Sequence, residues 1–199
     1  MAYYQVNLKD MIAELGEEET KNILSSYLCP KNADIEYFLK NKAIEFAKQG
    51  IAATHLVFTD LREVPVLIGY FALSNKTIHI SKRALNYNYR RRIKRFATPY
   101  DSGYMLSTLL IAQLGKNFTN EYNKLITGDE LLKMALDKVK QIQKDMGGKF
   151  VFLECEDIDK LIEFYSSNGF YNVGKRFLNR GEKGIETADY YVQMLKYLE

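Results

Sequence analysis

The chain contains little of what several classes of functional site require. Its 199 residues include two cysteines, Cys29 and Cys155, and two histidines, His55 and His79. The cysteines are far apart and lack the spacing of a metal or redox motif, and two histidines are too few for most zinc sites or for a histidine-based triad. Both histidines fall in predicted strands, where we interpret them as sheet-face residues with local partners. We therefore expect no metal site.

Long apolar runs are also missing. No run approaches the length of about 20 residues that a helix needs to cross a bilayer. The beginning of the sequence has neither the basic segment nor the apolar core of a signal peptide. With two unpaired thiols, these features predict a cytoplasmic protein without membrane contact. The apolar and charged fractions, 47% and 27%, are those of an ordinary globular protein.

Acidic residues are absent from one long stretch. Residues 64–100 contain no Asp or Glu and eight Lys or Arg, so the rest of a chain of net charge +3 carries −5. Within this stretch, residues 86–96 mix basic and aromatic side chains without a clean period, which fits a short helix or an extended loop. Arg90 to Arg95, with Tyr87 and Tyr89, could bind an anionic ligand or a nucleic-acid backbone and stack on bases. A solvated basic face is the alternative.

A strand–loop–helix unit stands at the centre of the chain. The apolar run 109–114 is short enough for a strand buried on both faces, and a polar loop follows over residues 116–128. The next residues predict a helix that ends at Gly147-Gly148, because their apolar positions keep the helical period. These positions are Leu131, Leu132, Ala135, Val139, Ile142 and Met146. Such a helix start can bind phosphate through free N–H groups, although ordinary connections share this outline. We expect Asp129 to cap it.

The other elements indicate a single mixed α/β domain. In order, the sequence predicts helix 7–28, helix 35–47 capped by Asn32 or Asp34, strands 54–59 and 64–73, the central unit, strand 149–155, a helix from Asp157 or Asp159 to Gly169, and strands 170–178 and 189–198 with a loop over 179–187 between them. The alternation of strands and helices in the middle predicts a partly parallel sheet, and the flanking hairpins predict antiparallel edges.

Two local motifs give this order a family resemblance. Residues 161–170, Leu-Ile-Glu-Phe-Tyr-Ser-Ser-Asn-Gly-Phe, contain a tyrosine followed after three residues by Gly-Phe, and the central strand–loop–helix is the second motif. With the upstream pieces 29–39 and 69–74, the chain resembles the GNAT superfamily of acyl-CoA N-acyltransferases, in particular its toxin-like subgroup. The resemblance implies a GNAT-like acyltransferase domain over residues 29–199, preceded by a helical extension over residues 1–28.

The resemblance also implies a cofactor and roles for particular residues. Acetyl-CoA is the expected donor, and direct transfer to a primary amine, small or macromolecular, is the expected reaction. Tyr165 would donate a proton to the departing thiolate, the alternative being a packing tyrosine. The backbone of Leu114, Gly115 and Lys116 would pair with the pantetheine arm like an added strand. The pyrophosphate would be held by N–H groups of Asn123, Lys124, Leu125, Ile126, Thr127 and Gly128.

The expected pyrophosphate loop departs from the family pattern. The family usually has Gln or Arg, two residues, Gly, one residue, then Gly or Ala, whereas here Asn123 stands first and Ile126 replaces the middle glycine. Glycine at that position lets the backbone approach phosphate closely. We therefore expect Lys116 and Lys124 to offset the loss by pairing directly with phosphate.

Several assignments stay open at this point. Glu154 and Glu156 alternate onto one strand face, and burial would raise the pKa of a carboxylate there, but a salt-bridged pair is as consistent, and no general base is assigned. A toxin-like enzyme could acetylate an aminoacyl-tRNA bound through Arg90 to Arg95, or a degenerate GNAT fold could act as a binding module. The extension over residues 1–28 could cover a sheet face, form a homodimer contact or bind a partner.

Overall fold

The computed structural model describes residues 2–178 and 189–199, and the loop expected over residues 179–187 lies outside the described residues. The helices are α1 (Leu8–Leu15), α2 (Glu17–Ser25), α3 (Ala33–Asn41), α4 (Ala43–Gln49), α5 (Tyr87–Ile93), α6 (Gly128–Met146) and α7 (Asp159–Ser167). The strands are β1 (Tyr3–Asn7), β2 (Ala53–Leu61), β3 (Val64–Ser81), β4 (Thr98–Tyr100), β5 (Gly103–Lys116), β6 (Phe150–Cys155), β7 (Tyr171–Phe177) and β8 (Tyr190–Tyr197).

The sheet has the mixed character that the sequence predicts. Within the described residues, eight strands form one sheet in the order β1-β2-β3-β5-β6-β8-β7, with β4 paired to β5. The β5–β6 ladder is parallel, and the ladders that β1, β4, β7 and β8 form with their neighbours are antiparallel. Parallel strands need a crossover connection, which α6 supplies here between β5 and β6. The predicted mixed α/β class is confirmed.

The chain divides into two compact units, Met1–Ser74 with Ile111–Leu136, and Asn75–Leu110 with Asp137–Glu199. The first unit has a core of aliphatic and aromatic side chains from α1 to α4 and from strands β2 and β3, among them Leu8, Leu24, Leu39, Leu56 and Tyr70. Residues on both sides of Leu28 contribute to this core. The expected domain boundary after residue 28 stays a prediction.

The second unit has its own core. It is formed by side chains from the far half of β3, from α5 and from strands β5 to β8, among them Ile78, Ile80, Ile93, Leu106, Phe152 and Leu195. Because Ile93 of α5 is fully buried in this cluster, the basic segment that contains α5 is anchored through its apolar side. Of the two conformations expected for this segment, the structure therefore shows the short helix.

The N-terminal segment differs from the single helix expected over residues 7–28. Tyr3–Asn7 form β1, which pairs antiparallel with β2, and Asn7 caps α1 by accepting a hydrogen bond from the N–H of Lys9. Gly16, at φ 81°, separates α1 from α2. A short strand whose partner lies some fifty residues away leaves no local period in the sequence, so β1 was not predicted.

The second expected helix, over residues 35–47, is also divided. It comprises α3 and α4, which meet at Lys42, whose φ of −122° is not helical. Asn32 caps α3 by accepting a hydrogen bond from the N–H of Ile35, and Gly50 ends α4 in the left-handed conformation. Of the two predicted caps, Asn32 is confirmed.

The central unit has the predicted order but different burial. In the run 109–114 only Ile111 is buried and the other residues are half-buried, so the expectation of a strand buried on both faces is wrong. The β5–β6 ladder contains two residue pairs and ends at Leu110, which leaves residues 111–116 beyond it. Helix α6 ends at Gly147-Gly148 as predicted. Met146, expected on its apolar face, is 67% exposed in the last turn.

Candidate functional site

The end of β5 is a place of close backbone packing in the first unit. A Cβ atom on Gly115 would lie 2.5 Å from both the Tyr27 hydroxyl oxygen and Cγ2 of Ile35. A Cβ atom on Gly69 would lie 2.9 Å from the carbonyl oxygen of Gly115. These distances are too short for any side chain, so glycine is required at both positions. Leu114 and Lys116, which flank Gly115, are half-buried.

Asn117 fixes the beginning of the loop that follows β5. Its side chain is 1% exposed and accepts hydrogen bonds from the N–H groups of Leu28 and Thr119, both at 3.0 Å. Its amide nitrogen donates to the carbonyl of Leu67 at 2.8 Å, and its backbone N–H donates to the carbonyl of Ile68. The loop is therefore anchored by a buried polar network. Asn117 was not predicted from the sequence, because nothing local distinguishes it from an ordinary loop asparagine.

Lys116 contacts the same loop from the strand end. Its Nζ donates to the carbonyl oxygens of Asn123 at 2.8 Å and Ile126 at 3.0 Å. Burial, and then the charge of nearby Lys31, lower the pKa of the Lys116 ammonium. Two of its three donors thus bind the loop itself, whereas we expected from the sequence that this ammonium binds phosphate directly.

Lys124 and Ile126 have opposite environments. The ammonium of Lys124 forms an exposed salt bridge with Glu121 at 2.5 Å, which contributes little to stability. The side chain of Ile126 is 2% exposed and packs into the protein. An isoleucine is compatible with this loop because its side chain points inward. The isoleucine that stands where the family has glycine therefore does not occupy the outer side of the loop.

A capping box begins α6. The Thr127 hydroxyl accepts a hydrogen bond from the N–H of Glu130 at 3.1 Å, and the Glu130 carboxylate accepts from the N–H and hydroxyl of Thr127, both at 2.8 Å. These hydrogen bonds lower the pKa of Glu130. The N-cap is therefore Thr127, paired with Glu130, and Asp129, expected as the cap, lies in the first turn of the helix. The spacing Thr-x-x-Glu is visible in the sequence and indicates this capping box.

The first strand reaches the same loop. The hydroxyl of Tyr3 donates to the carbonyl oxygen of Leu125 at 2.9 Å and lies 3.3 Å from Oε1 of Glu130. Burial and the neighbouring Glu130 carboxylate raise the pKa of this phenol. The six residues predicted to hold pyrophosphate, 123–128, thus form one loop and helix start with three carbonyls engaged by side chains.

Tyr165 lies in the second unit, near the end of α7, and is 9% exposed. Its ring makes edge contacts with Phe164 and Phe170, with ring centroids 5.0 and 5.8 Å apart. Burial, and then Cys155, raise the pKa of its phenol, so Tyr165 is neutral and carries its proton at physiological pH. Within residues 2–178 and 189–199, no hydrogen bond to this hydroxyl is found. Gly169, at φ 79°, follows α7 as the sequence motif predicts.

Glu154 is part of an ion-pair cluster. Its carboxylate accepts two hydrogen bonds from Arg176, at 2.7 and 2.9 Å, and lies 3.2 Å from Nζ of Lys76. Burial raises the pKa of Glu154, but the hydrogen bonds from Arg176 and the charge of Lys76 outweigh burial and lower it. The expectation of a raised pKa is wrong for this residue, which matches the salt-bridged alternative. Glu156 is half-buried just after β6.

The basic segment divides into one anchored arginine and several exposed cations. Arg90 donates to the carbonyl oxygen of Lys82 at 2.7 Å, so it is held within the second unit. Arg92 lies over the ring of Tyr197, with its guanidinium carbon 5.1 Å from the centroid. Lys94 is exposed. Arg91 and Arg95 are likewise exposed.

The two tyrosines of this segment also differ. Tyr87 is 76% exposed, whereas the ring of Tyr89 stacks on Tyr171 with centroids 4.4 Å apart. The exposed ring alone is positioned to stack on a ligand from solvent. The histidines are sheet residues, as expected: His55 stacks on Phe71, and His79 makes an edge contact with Tyr100.

Among the residues that the structure describes, no group of three or more His, Cys, Asp or Glu side chains is arranged to hold a metal ion. The thiols of Cys29 and Cys155 are free and buried, and burial raises the pKa of Cys155 to about 12. The described helices include none that is long and apolar enough to cross a membrane.

Comparisons with known proteins give likenesses of structure alone. No protein-family model and no curated protein sequence matches the chain. Among solved structures, AtaT complexed with acetyl-methionyl-tRNAfMet is 16% identical, with TM-score 0.62, covering 96% of this chain and 94% of the other. A point variant of KacT is 14% identical, with TM-score 0.63 and coverages of 98% and 95%. AtaTR bound with AcCoA is 13% identical, with TM-score 0.56 and coverages of 98% and 92%.

Proposed function

We propose that this chain, which has the fold of the GNAT toxins named above, transfers an acetyl group from acetyl-CoA to a primary amine. The observation that carries the proposal is the anchored loop before α6, where side chains engage three backbone carbonyls just ahead of a capped helix start. The proposed acyltransferase domain comprises residues 29–199. No metal ion takes part in the proposed reaction.

The proposed roles follow the chemistry of direct transfer. Residues 123–128 hold the pyrophosphate, and the backbone of residues 114–116 pairs with the pantetheine arm. The amine attacks the thioester carbonyl, so a nitrogen–carbon bond forms and the carbon–sulfur bond breaks. Tyr165 donates its proton to the departing thiolate, which its neutral form supports. The attacking nitrogen loses one proton to solvent, and the Tyr165 phenolate takes one back from solvent. Glu154 is not proposed as a base, because its ion pairs keep it a weak proton acceptor.

Calorimetric titration with acetyl-CoA tests the binding part of the proposal. We expect micromolar affinity in the wild type and its loss in Gly128→Trp, because an indole at the helix start fills the phosphate position. Met146→Trp is the matched control, since it adds the same side chain at the exposed opposite end of α6. No binding by the wild type at millimolar acetyl-CoA would contradict the proposal.

Tyr165→Phe tests the chemical part. We expect turnover to fall by about 100-fold or more, the usual contribution of a general acid, while folding and acetyl-CoA affinity stay near those of the wild type. Tyr171→Phe, which removes a hydroxyl from β7 in the same unit, is the control. If the wild type binds acetyl-CoA but acetylates no amine, and Tyr165→Phe changes nothing, the degenerate binding module is favoured instead.

An aminoacyl-tRNA is the second candidate acceptor, favoured by the exposed basic segment. Arg91, Lys94 and Arg95 are solvent-exposed beside the exposed ring of Tyr87, the combination that binds single-stranded nucleic acid. The likeness to AtaT, solved with an acetylated aminoacyl-tRNA, supports the same class of substrate.

Charge removal tests this candidate. We expect the triple substitution of Arg91, Lys94 and Arg95 by Gln to lose tRNA binding and to retain acetyl-CoA binding. The control removes the same charge from exposed lysines of α6 and α7: Lys140, Lys144 and Lys160 by Gln. Equal tRNA affinity of the two triple variants would contradict the candidate. Arg90 is left in place because it supports the fold.

A further inference from the structure

We infer that Tyr3 and Lys116 are positioning residues that orient the peptide groups of residues 123–127 toward an anion. The inference rests on the proposed function, since the anion in question is the pyrophosphate of acetyl-CoA. Neither side chain touches the ligand in this arrangement. Each acts by binding carbonyl oxygens of the loop from the protein side, at 2.8 to 3.0 Å.

Peptide geometry links these contacts to the N–H groups. In a trans peptide the carbonyl of one residue and the N–H of the next point in opposite directions, and the structure has no cis peptide bond among its described residues. Because the Leu125 carbonyl points to the Tyr3 hydroxyl, the N–H of Ile126 points away from Tyr3. The Ile126 carbonyl points to Lys116, and the N–H of Thr127 points to Glu130.

These hydrogen bonds leave the N–H of Ile126 available to a ligand. The N–H of Thr127 is used by the capping box. The N–H of Ile126 has no acceptor within residues 2–178 and 189–199, and the buried side chain of Ile126 holds that residue in place. The position where the family has glycine therefore presents an N–H group whose orientation is fixed by side chains on both neighbouring peptides.

The chemistry of the two side chains suits this role. A charged ammonium makes stronger hydrogen bonds to carbonyls than a neutral donor does, and its positive charge on the protein side of the loop favours an anion on the other side. The Tyr3 hydroxyl adds a neutral donor at the end of β1. Strand β1 lies in the segment outside the expected common domain, so the inference gives that segment a part in cofactor binding.

Matched tyrosine variants test the inference. Tyr3→Phe removes the hydrogen bond to Leu125, while Tyr4→Phe removes a hydroxyl from the adjacent residue, whose contact is Asp60 at 3.4 Å. By calorimetry we expect Tyr3→Phe to weaken acetyl-CoA binding about fivefold, the usual worth of one hydrogen bond, and Tyr4→Phe to leave it unchanged. We expect about tenfold or greater weakening in Lys116→Met and partial recovery in Lys116→Arg, because a charged donor is lost and then restored.

An NMR measurement separates positioning from general stability. On addition of inorganic pyrophosphate, the amide proton of Ile126 should shift downfield in the wild type and in Tyr4→Phe, and much less in Tyr3→Phe. Failure of the wild type to bind acetyl-CoA overturns the proposed function and this inference with it. Wild-type binding with equal affinity and equal Ile126 shifts in the two tyrosine variants overturns the inference alone.

Discussion

The loop before α6 and the basic segment around α5 are both polar, but they use their polar groups in opposite ways. In the loop, Asn117 and Lys116 bind the protein's own backbone. Around α5, Arg90 does so, while Arg91 and Arg95 extend into solvent. Groups fixed by the protein can hold a small ligand in one orientation, whereas solvated cations hold a polyanion through charge. The proposals therefore assign a different mode of binding to each unit.

Replacing Asn117 should cause the largest loss of stability. Asn117→Ala leaves the N–H of Leu28 and the carbonyl of Leu67 without their buried partner, so we expect a loss of about 3 kcal/mol or more in the free energy of unfolding. Asn88→Ala, at an exposed position of α5, should change it by no more than about 0.5 kcal/mol. Urea unfolding measures both. Similar losses would remove the distinction between the two regions.

Within the basic segment, Arg90 should behave like a residue of the loop. Arg90→Met removes a charged hydrogen bond to the Lys82 carbonyl and should cost about 1.5 to 3 kcal/mol of unfolding free energy. Arg91→Met should cost almost none and should weaken tRNA binding instead. Thermal unfolding and tRNA titration of the two variants measure these opposite orders. An equal effect on stability would show that Arg90 is not anchored.

Salt should separate the two binding modes further. Each cation that neutralises a phosphate contributes about 0.7 to 0.9 to the slope of log affinity against log salt. Substitution of Arg91, Lys94 and Arg95 by Gln should therefore lower that slope by about 2 to 3 for tRNA and leave acetyl-CoA affinity unchanged. Fluorescence anisotropy over a range of KCl concentrations measures the slope. An unchanged slope would place the polyanion contacts elsewhere.

The smallest expected effect is an acid titration confined to the loop. The pKa of Glu130 is lowered in the folded protein, so its cap is complete above the ordinary glutamate pKa of about 4.3 and is lost as pH falls through the lower folded value. The α5 helix contains no carboxylate. The Thr127 amide resonance should titrate with a midpoint below about 4.3, while α5 amides stay constant. A midpoint above that value would contradict the capping geometry.

The sequence predicted the features that leave a local pattern. Helix α6 and the glycines that end it were predicted correctly, because the buried face of a helix appears in the sequence as apolar residues three or four positions apart. Strand β1 left no such pattern, since its conformation depends on pairing with β2. The candidate loop was located from the sequence, but its construction was not. Tyr3 reaches Leu125 across 122 positions of the chain, a contact that no spacing rule contains.

Lys116 and Lys124 also show that contacts between distant residues cannot be predicted from the sequence. Sequence alone gave Lys116 and Lys124 equal standing as partners of phosphate. The structure engages the first with two loop carbonyls and the second with exposed Glu121, because only Lys116 stands at a strand end facing the loop. Likewise Glu154 was a candidate base until its partners from other strands, Arg176 and Lys76, were in view.

The crowding around Gly69 and Gly115 limits which substitutions this chain can accept during evolution. Neither glycine needs an unusual backbone angle, yet each faces atoms too close to admit a single methyl group. In a library of randomly mutated genes selected only for folded protein, both positions should return almost exclusively glycine. Such uniformity would resemble the mark of a binding residue. Its origin would be the lack of space beside the two glycines, which face a backbone carbonyl in one case and side chains in the other.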